Sequence, residues 1–133
     1  YLINFCRPFI YTTAMPFHSV QHIREAISYI QNNTHLIDLL RKRIKQFSDS
    51  MNSQQIAGYS ASISPIQIIK IQGNKRIKRI STLLNENGFD IPPILSPTVP
   101  KGEERLRICI HSFNTQKDIT NLTCTIAEAV NEA

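Results

Sequence analysis

The sequence predicts a two-layer α/β fold in which a short mixed or antiparallel sheet is covered by helices on one side. Apolar residues recur every three or four positions between Val20 and Met51, which is the spacing of an amphipathic helix. The β-branched run 66–71 is too short for a helix and predicts a strand. Strict alternation over 105–110 predicts a second strand with one face in the core.

The remaining elements follow from helix signals along the chain. The polar cluster around Asn33 divides the first helical stretch into two segments. A further amphipathic helix opens near Asn74 and ends at Gly88, where a left-handed C-cap is expected. Thr115 and Asp118 have the spacing of a capping box before the last helix. A short extended stretch over 89–95 follows the helix that ends at Gly88. The predicted order is therefore helix, strand, helix, strand, strand, helix.

The formal net charge of the 133-residue chain is +5, and basic residues concentrate in 41–45 and 75–79. Such clusters attract nucleic acid or a polyanion such as coenzyme A. The same residues interleave with apolar ones at helical spacing, which favours the exposed faces of two helices. A basic nucleic-acid-binding module stays open as an alternative function.

Composition sets limits on location and metal binding. Three widely spaced cysteines form neither a disulfide framework nor a zinc motif, which indicates a reducing, cytoplasmic setting. No apolar stretch approaches the roughly 20 residues that cross a bilayer, so no membrane association is expected. His18 and His22 are four apart, but the glutamate of the zinc-protease motif is missing and no metal site is expected.

Two arginines on the non-core face of the 105–110 strand are the first candidate binding residues. The guanidinium of Arg107 offers a planar fork that can grip a carboxylate through two hydrogen bonds, and Arg105 has the same parity. Alternatively, both arginines are solvated or paired with Glu103 and Glu104.

Thr12 and Thr13 are the second candidate group. They lie in a segment bounded by Pro8 and Pro16, which reads as an ordered, partly extended loop. Hydroxyl and backbone N–H groups converging in such a loop can bind a phosphate. A Thr-Thr pair also commonly begins a turn or caps the next helix, and this alternative stays open.

Three separated stretches together resemble the C-terminal third of the α-oxoamine synthases. Residues 4–14 (NFCRPFIYTTA) resemble the segment that follows the cofactor lysine in that family. Residues 96–108 (SPTVPKGEERLRI) are similar to its Pro-Thr-Val-Pro-x-Gly-x-x-Arg-Leu-Arg signature. Residues 111–115 (HSFNT) resemble the turn into its last helix.

The resemblance implies the C-terminal small domain of a fold-type I, pyridoxal-phosphate-dependent homodimer that condenses an amino acid with an acyl-CoA and releases CO2. The Pro-Thr-Val-Pro form most resembles members that join alanine to a pimeloyl thioester in biotin synthesis. Glycine C-acetyltransferase, 5-aminolevulinate synthase and serine palmitoyltransferase are the alternatives within the family. By position, Arg107 would hold the substrate carboxylate, Thr98 would line the substrate pocket, and Thr12 or Thr13 would contact the cofactor phosphate.

The same resemblance assigns regions to the chain. Residues 1–17 are expected to be a loop at the end of the large cofactor domain, 18–52 linking helices, and 53–133 the small domain. No lysine here has a context like the family's Schiff-base site. We therefore expect a C-terminal fragment without a catalytic residue, inactive by itself, with neither nucleic acid nor metal among its ligands.

Overall fold

The structure is a computed structural model that describes residues 2–5 and 15–132. Its internal contacts divide the chain into two compact units, residues 1–34 and 35–133. The domain boundaries predicted from the sequence stay a prediction.

Among its described residues, the first unit has the helices α1 (Leu2–Phe5) and α2 (Phe17–Asn32). The helix α2 begins where Pro16 accepts hydrogen bonds from the N–H groups of Ser19 and Val20, at 2.9 and 3.2 Å. The prediction of a loop over residues 1–17 is wrong at Leu2–Phe5, which form α1, and at Phe17, where α2 begins. The prolines at 8 and 16 restrict only their immediate neighbours, so they do not exclude a helical turn earlier in the segment.

The apolar positions of α2 have the predicted helical spacing, but none of its residues is buried. The next helix, α3 (Thr34–Ser53), follows after the predicted break at Asn33. It buries Ile44, Phe47 and Met51, which are three and four residues apart and so share one face. Similar apolar spacing in the two helices therefore gives very different burial.

The second unit is built on a three-stranded antiparallel sheet in the order β1-β3-β2. Its strands are β1 (Ile66–Lys70), β2 (Pro93–Ile94) and β3 (Arg105–Cys109). In the register, Ile68 faces Arg107 across the β1–β3 pair and Pro93 faces Leu106 across the β2–β3 pair. Of the two predicted sheet types, the described strands form the antiparallel one.

Helices α4 (Asn74–Glu86) and α5 (Gln116–Glu132) cover one face of this sheet. Leu106 and Ile108 point to the covered face and are buried, whereas Arg107 between them is exposed. The alternation expected from the sequence is thus confirmed, as is the two-layer fold. The core is formed by Ile44, Phe47, Met51, Ile69, Ile71, Ile77, Ile80, Leu84, Ile91, Leu106, Ile108, Ile110, Ile119, Leu122, Ile126 and Ala129.

Both predicted helix caps are present. The N–H of Thr115 donates to Oδ2 of Asp118 at 2.8 Å, and the N–H of Asp118 donates to Oγ1 of Thr115 at 3.1 Å. These reciprocal bonds are a capping box that satisfies two N–H groups at the start of α5. Gly88 follows the C-terminal end of α4 and has a φ of +86°, the left-handed conformation that was expected there.

Candidate functional site

A cleft of about 610 Å³ lies where the end of β3 meets the 88–94 segment and the start of α5. Arg107 and Thr98, which the sequence proposed as substrate-binding residues, both line it. Strand pairing fixes the backbone of Arg107, whereas Thr98 comes from the loop between β2 and β3. The wall is largely apolar and includes Phe89, Ile91, Pro93, Ile94, Ile110 and Leu122.

The structure separates the two arginines that strand parity places on the same face. Arg105 is tied to Glu103, because its Nε donates to the Glu103 carbonyl oxygen at 3.0 Å and its Nη2 lies 3.8 Å from the carboxylate. Arg107 is exposed and forms no hydrogen bond or ion pair with any of the residues described between 15 and 132. Its five donors are therefore free to bind a ligand.

The charge of the cleft is asymmetric. Among the residues that line it, Arg107 is the only lysine or arginine, and Asp90 and Asp118 are the carboxylates. Asp118 is already engaged in the capping box, and the backbone N–H of Thr115 is the main cause that lowers the pKa of its carboxyl group. An anionic ligand in this cleft would thus have one guanidinium to bind.

Thr12 and Thr13 lie outside the described residues, so their role as phosphate contacts stays a prediction. The rings of His18 and His22 have centroids 6.3 Å apart. Within the described part of the chain, no group of three or more His, Cys, Asp or Glu side chains is arranged to hold a metal ion.

Glu104 is the residue whose place the sequence analysis missed. It was considered as an arginine partner, but it is only 2% exposed and binds the backbone N–H groups of Gly73 and Gly102. A carboxylate two residues after a glycine and next to a core strand was the available signal. The pattern alone could not show which N–H groups it meets.

The basic clusters occupy exposed helix faces. In α4, Lys75, Lys78 and Arg79 are exposed, opposite the buried Ile77 and Ile80. In α3, Arg41 and Lys45 pair with aspartates of the same helix at 3.3 and 2.8 Å. This arrangement matches the amphipathic interpretation of the charge. A search of the described helices finds none long and apolar enough to cross a membrane.

The fold is that of the C-terminal part of fold-type I proteins. A crystal structure of 8-amino-7-oxononanoate synthase from Francisella tularensis superimposes with a TM-score of 0.81 at 26% identity, over 98% of this chain and 38% of that one. The chain belongs to the aminotransferase class I and II family, whose model matches residues 1–126.

Curated relatives agree with this assignment. The chain is 33% identical over 132 residues to the 8-amino-7-oxononanoate synthase of Cellvibrio japonicus and 30% identical over 136 residues to that of Emericella nidulans. These matches include 98% and 96% of this chain but 32% of each relative. The chain thus spans about a third of the length of these curated relatives.

A serine palmitoyltransferase from S. paucimobilis, solved with bound pyridoxal phosphate and myriocin, has a TM-score of 0.82 at 16% identity. The superposition includes 98% of this chain and 33% of that one. At this identity the likeness shows the shared fold alone. The resemblance to the α-oxoamine synthases that the sequence motifs indicated is confirmed.

Proposed function

We propose that the chain is the C-terminal part of a pyridoxal-phosphate-dependent acyltransferase. The enzyme would condense alanine with a pimeloyl thioester, release CO2 and coenzyme A, and serve biotin synthesis as a cytoplasmic homodimer. The relatives named above support the reaction. The observation that carries the site is the exposed guanidinium of Arg107, which has no partner among the described residues, in a cleft that Thr98 also lines.

Arg107 binds and orients the amino acid in this proposal. A guanidinium fork that donates to no protein carboxylate among the described residues can donate two parallel hydrogen bonds to the substrate carboxylate. Because strand pairing holds its backbone opposite Ile68, the carboxylate is fixed relative to the sheet. The side chain therefore sets which bond of the amino acid faces the reacting group.

The cofactor, when bound, supplies an electron sink for the condensation. Among the described residues, Arg107 and Thr98 line the same cleft and would bind the substrate beside the cofactor. Thr12 and Thr13 would hold its phosphate through hydroxyl and backbone N–H groups, as their place in the NFCRPFIYTTA stretch suggests. The apolar wall of the cleft would exclude water from the bound substrate.

The test is a comparison of arginine variants in the full-length enzyme, assayed for thiol release from pimeloyl-CoA and alanine. Arg107→Ala should lower kcat/KM for alanine by about 10- to 100-fold, the loss expected for hydrogen bonds to a charged group. Arg105→Ala is the matched control, because Arg105 is two residues away and tied to Glu103. Unaltered kinetics in the Arg107 variant would refute its role.

A substrate panel tests the choice of amino acid and acyl donor. Alanine, glycine and serine would each be offered with pimeloyl, acetyl, succinyl and palmitoyl thioesters. The proposal expects the alanine and pimeloyl pair to have the highest kcat/KM. A preference for another pair would move the enzyme to a different member of the same family.

A further inference from the structure

A buried carboxylate lies beside the loop that carries Thr98. Oε2 of Glu104 accepts hydrogen bonds from the N–H of Gly102 at 2.9 Å and from the N–H of Gly73 at 3.3 Å. Its own backbone N–H is the largest cause that lowers the pKa of its carboxyl group, and the other two N–H groups add to it. Glu104 is thus ionised at neutral pH, and its charge is satisfied by backbone donors.

A second contact holds the other end of the same loop. The side-chain amide of Asn74 binds one residue in both directions, because Nδ2 donates to the Ser96 carbonyl oxygen at 3.4 Å and Oδ1 accepts from the Ser96 N–H at 3.3 Å. Asn74 directly follows Gly73 in the chain. Two consecutive residues at the start of α4 therefore anchor both ends of the segment 96–102.

The anchor point is rigid, whereas the loop is not supported by strand pairing. Helix α4 is packed into the core through Ile77, Ile80 and Leu84, all fully buried. Arg107 is held by β3, which pairs on both sides. Thr98 lies between the strands and outside their register, in a turn closed by the bond from the Val99 N–H to the Leu95 carbonyl oxygen at 3.2 Å. The two anchors join this turn to the start of α4.

We propose that Glu104 is a positioning residue for the substrate cleft: it ties Gly102 to Gly73 and so, with the Asn74 anchor, keeps Thr98 on the wall of the cleft that Arg107 also lines. This inference rests on the function proposed above and deepens it. It adds a residue that does not touch substrate and acts only through the loop. Glu103, the neighbouring acid, instead pairs on the surface with Lys70 at 2.6 Å.

Hydrogen exchange of the full-length protein tests the anchor without any assay of activity. In Glu104→Ala, exchange of the N–H groups over residues 96–102 should accelerate at least about tenfold, while β3 keeps its protection. Glu103→Gln is the matched control and should exchange like the wild type. Asn74→Ala, at an exposed position, releases the other end of the loop and gives the same test if the Glu104 variant does not fold. Unchanged exchange at Gly102 overturns the proposal.

A double-mutant cycle in the same enzyme tests whether the anchor serves the substrate. Thr98→Ala identifies which substrate depends on Thr98, because the KM of that substrate rises. Glu104→Ala should raise the KM of the same substrate by about five- to tenfold and leave kcat within about threefold of the wild type. Glu104→Gln keeps a neutral acceptor and should fall between wild type and Glu104→Ala. The double variant should bind no worse than Thr98→Ala alone.

The outcomes separate the two proposals. Additive effects of the Thr98 and Glu104 substitutions, or an unaltered KM with accelerated exchange, would leave Glu104 as a purely structural residue and overturn its positioning role. A wild-type enzyme that does not perform the condensation would overturn the proposed function, and the positioning role with it, whatever the exchange result.

Discussion

The five residues of strand β3 are divided between two faces that differ in burial. Leu106 and Ile108 face the helices and are nearly or fully buried. Arg107 and Cys109 face the other way and are exposed. Successive side chains of a strand point to opposite sides, so one short segment serves both the core and the cleft.

The contrast separates the residues that stabilise this unit from the residue that is proposed to bind substrate. On the covered face, apolar area removed from water stabilises the fold. On the open face, Arg107 is exposed and has no partner in the described part of the chain, so it should contribute little to folding. Substitutions on the covered face should therefore lower the free energy of unfolding, whereas substitution of Arg107 should weaken the proposed substrate binding.

The sharpest test compares neighbouring residues of β3. Leu106→Ala removes a fully buried side chain and should lower the free energy of unfolding by about 3 to 4 kcal/mol. Arg107→Ala should change it by less than about 0.5 kcal/mol. Urea unfolding followed by circular dichroism measures both. A large loss of stability in the Arg107 variant would break the division between the faces.

A close backbone contact at the β1 edge gives the next largest effect. Gly58 has a φ of +81°, and a Cβ there would clash with the carbonyl oxygen of Lys70, whose N–H donates to the Gly58 carbonyl oxygen at 2.9 Å. Gly58→Ala should cost about 2 kcal/mol or more, from the left-handed conformation and the clash together.

Gly88 is the matched control for the Gly58 prediction. It has a φ of +86°, but a Cβ would meet no atom within 4 Å. Gly88→Ala should therefore cost only the conformational part, about 1 kcal/mol. Equal losses in the two variants would show that the contact with Lys70 adds nothing to the conformational cost.

Much of the fold was predictable because its signals are local. The alternation of 105–110, the capping box at Thr115 and the left-handed Gly88 each depend on a few neighbouring residues. The pairing order β1-β3-β2 depends on contacts between distant segments, and the sequence left the choice between a mixed and an antiparallel sheet open. The helical turn at Leu2–Phe5 was missed because the prolines at 8 and 16 suggested a loop over the whole segment, although they restrict only their own neighbours.

The site was predictable only in part, for the same reason. Strand parity placed Arg107 on the open face, and the family motif singled out Thr98. Parity could not distinguish Arg107 from Arg105, because the partner that occupies Arg105 is found only in three dimensions. Glu104 was missed because its donors come partly from Gly73, distant in sequence.

The cap of α5 tests how far the covered face depends on its helices. Thr115→Ala removes the hydroxyl that accepts the N–H of Asp118, and should destabilise the fold by about 1 kcal/mol. Thr115→Ser keeps the acceptor and should stay close to wild type. Under the proposed function, the affinity of the enzyme for alanine should be unaffected, because the strand that carries Arg107 is not altered. An equal loss in the Ser variant would mean that the methyl group, and not the cap, is responsible.

The smallest effect is a pH dependence at the same cap. The pKa of Asp118 is lowered in the folded state, mainly by the N–H of Thr115, so the unfolded state binds the proton more readily. The charged carboxylate therefore stabilises α5 fully above about pH 4 to 5, and this contribution is lost as the pH falls through the lowered pKa. Wild type should exceed Asp118→Asn in unfolding free energy at pH 7, and the gap should narrow as the pH falls below about 4. A gap that stays constant down to pH 3 would show that the charge of Asp118 does not act through the cap, and that the helix over the covered face is held by packing alone.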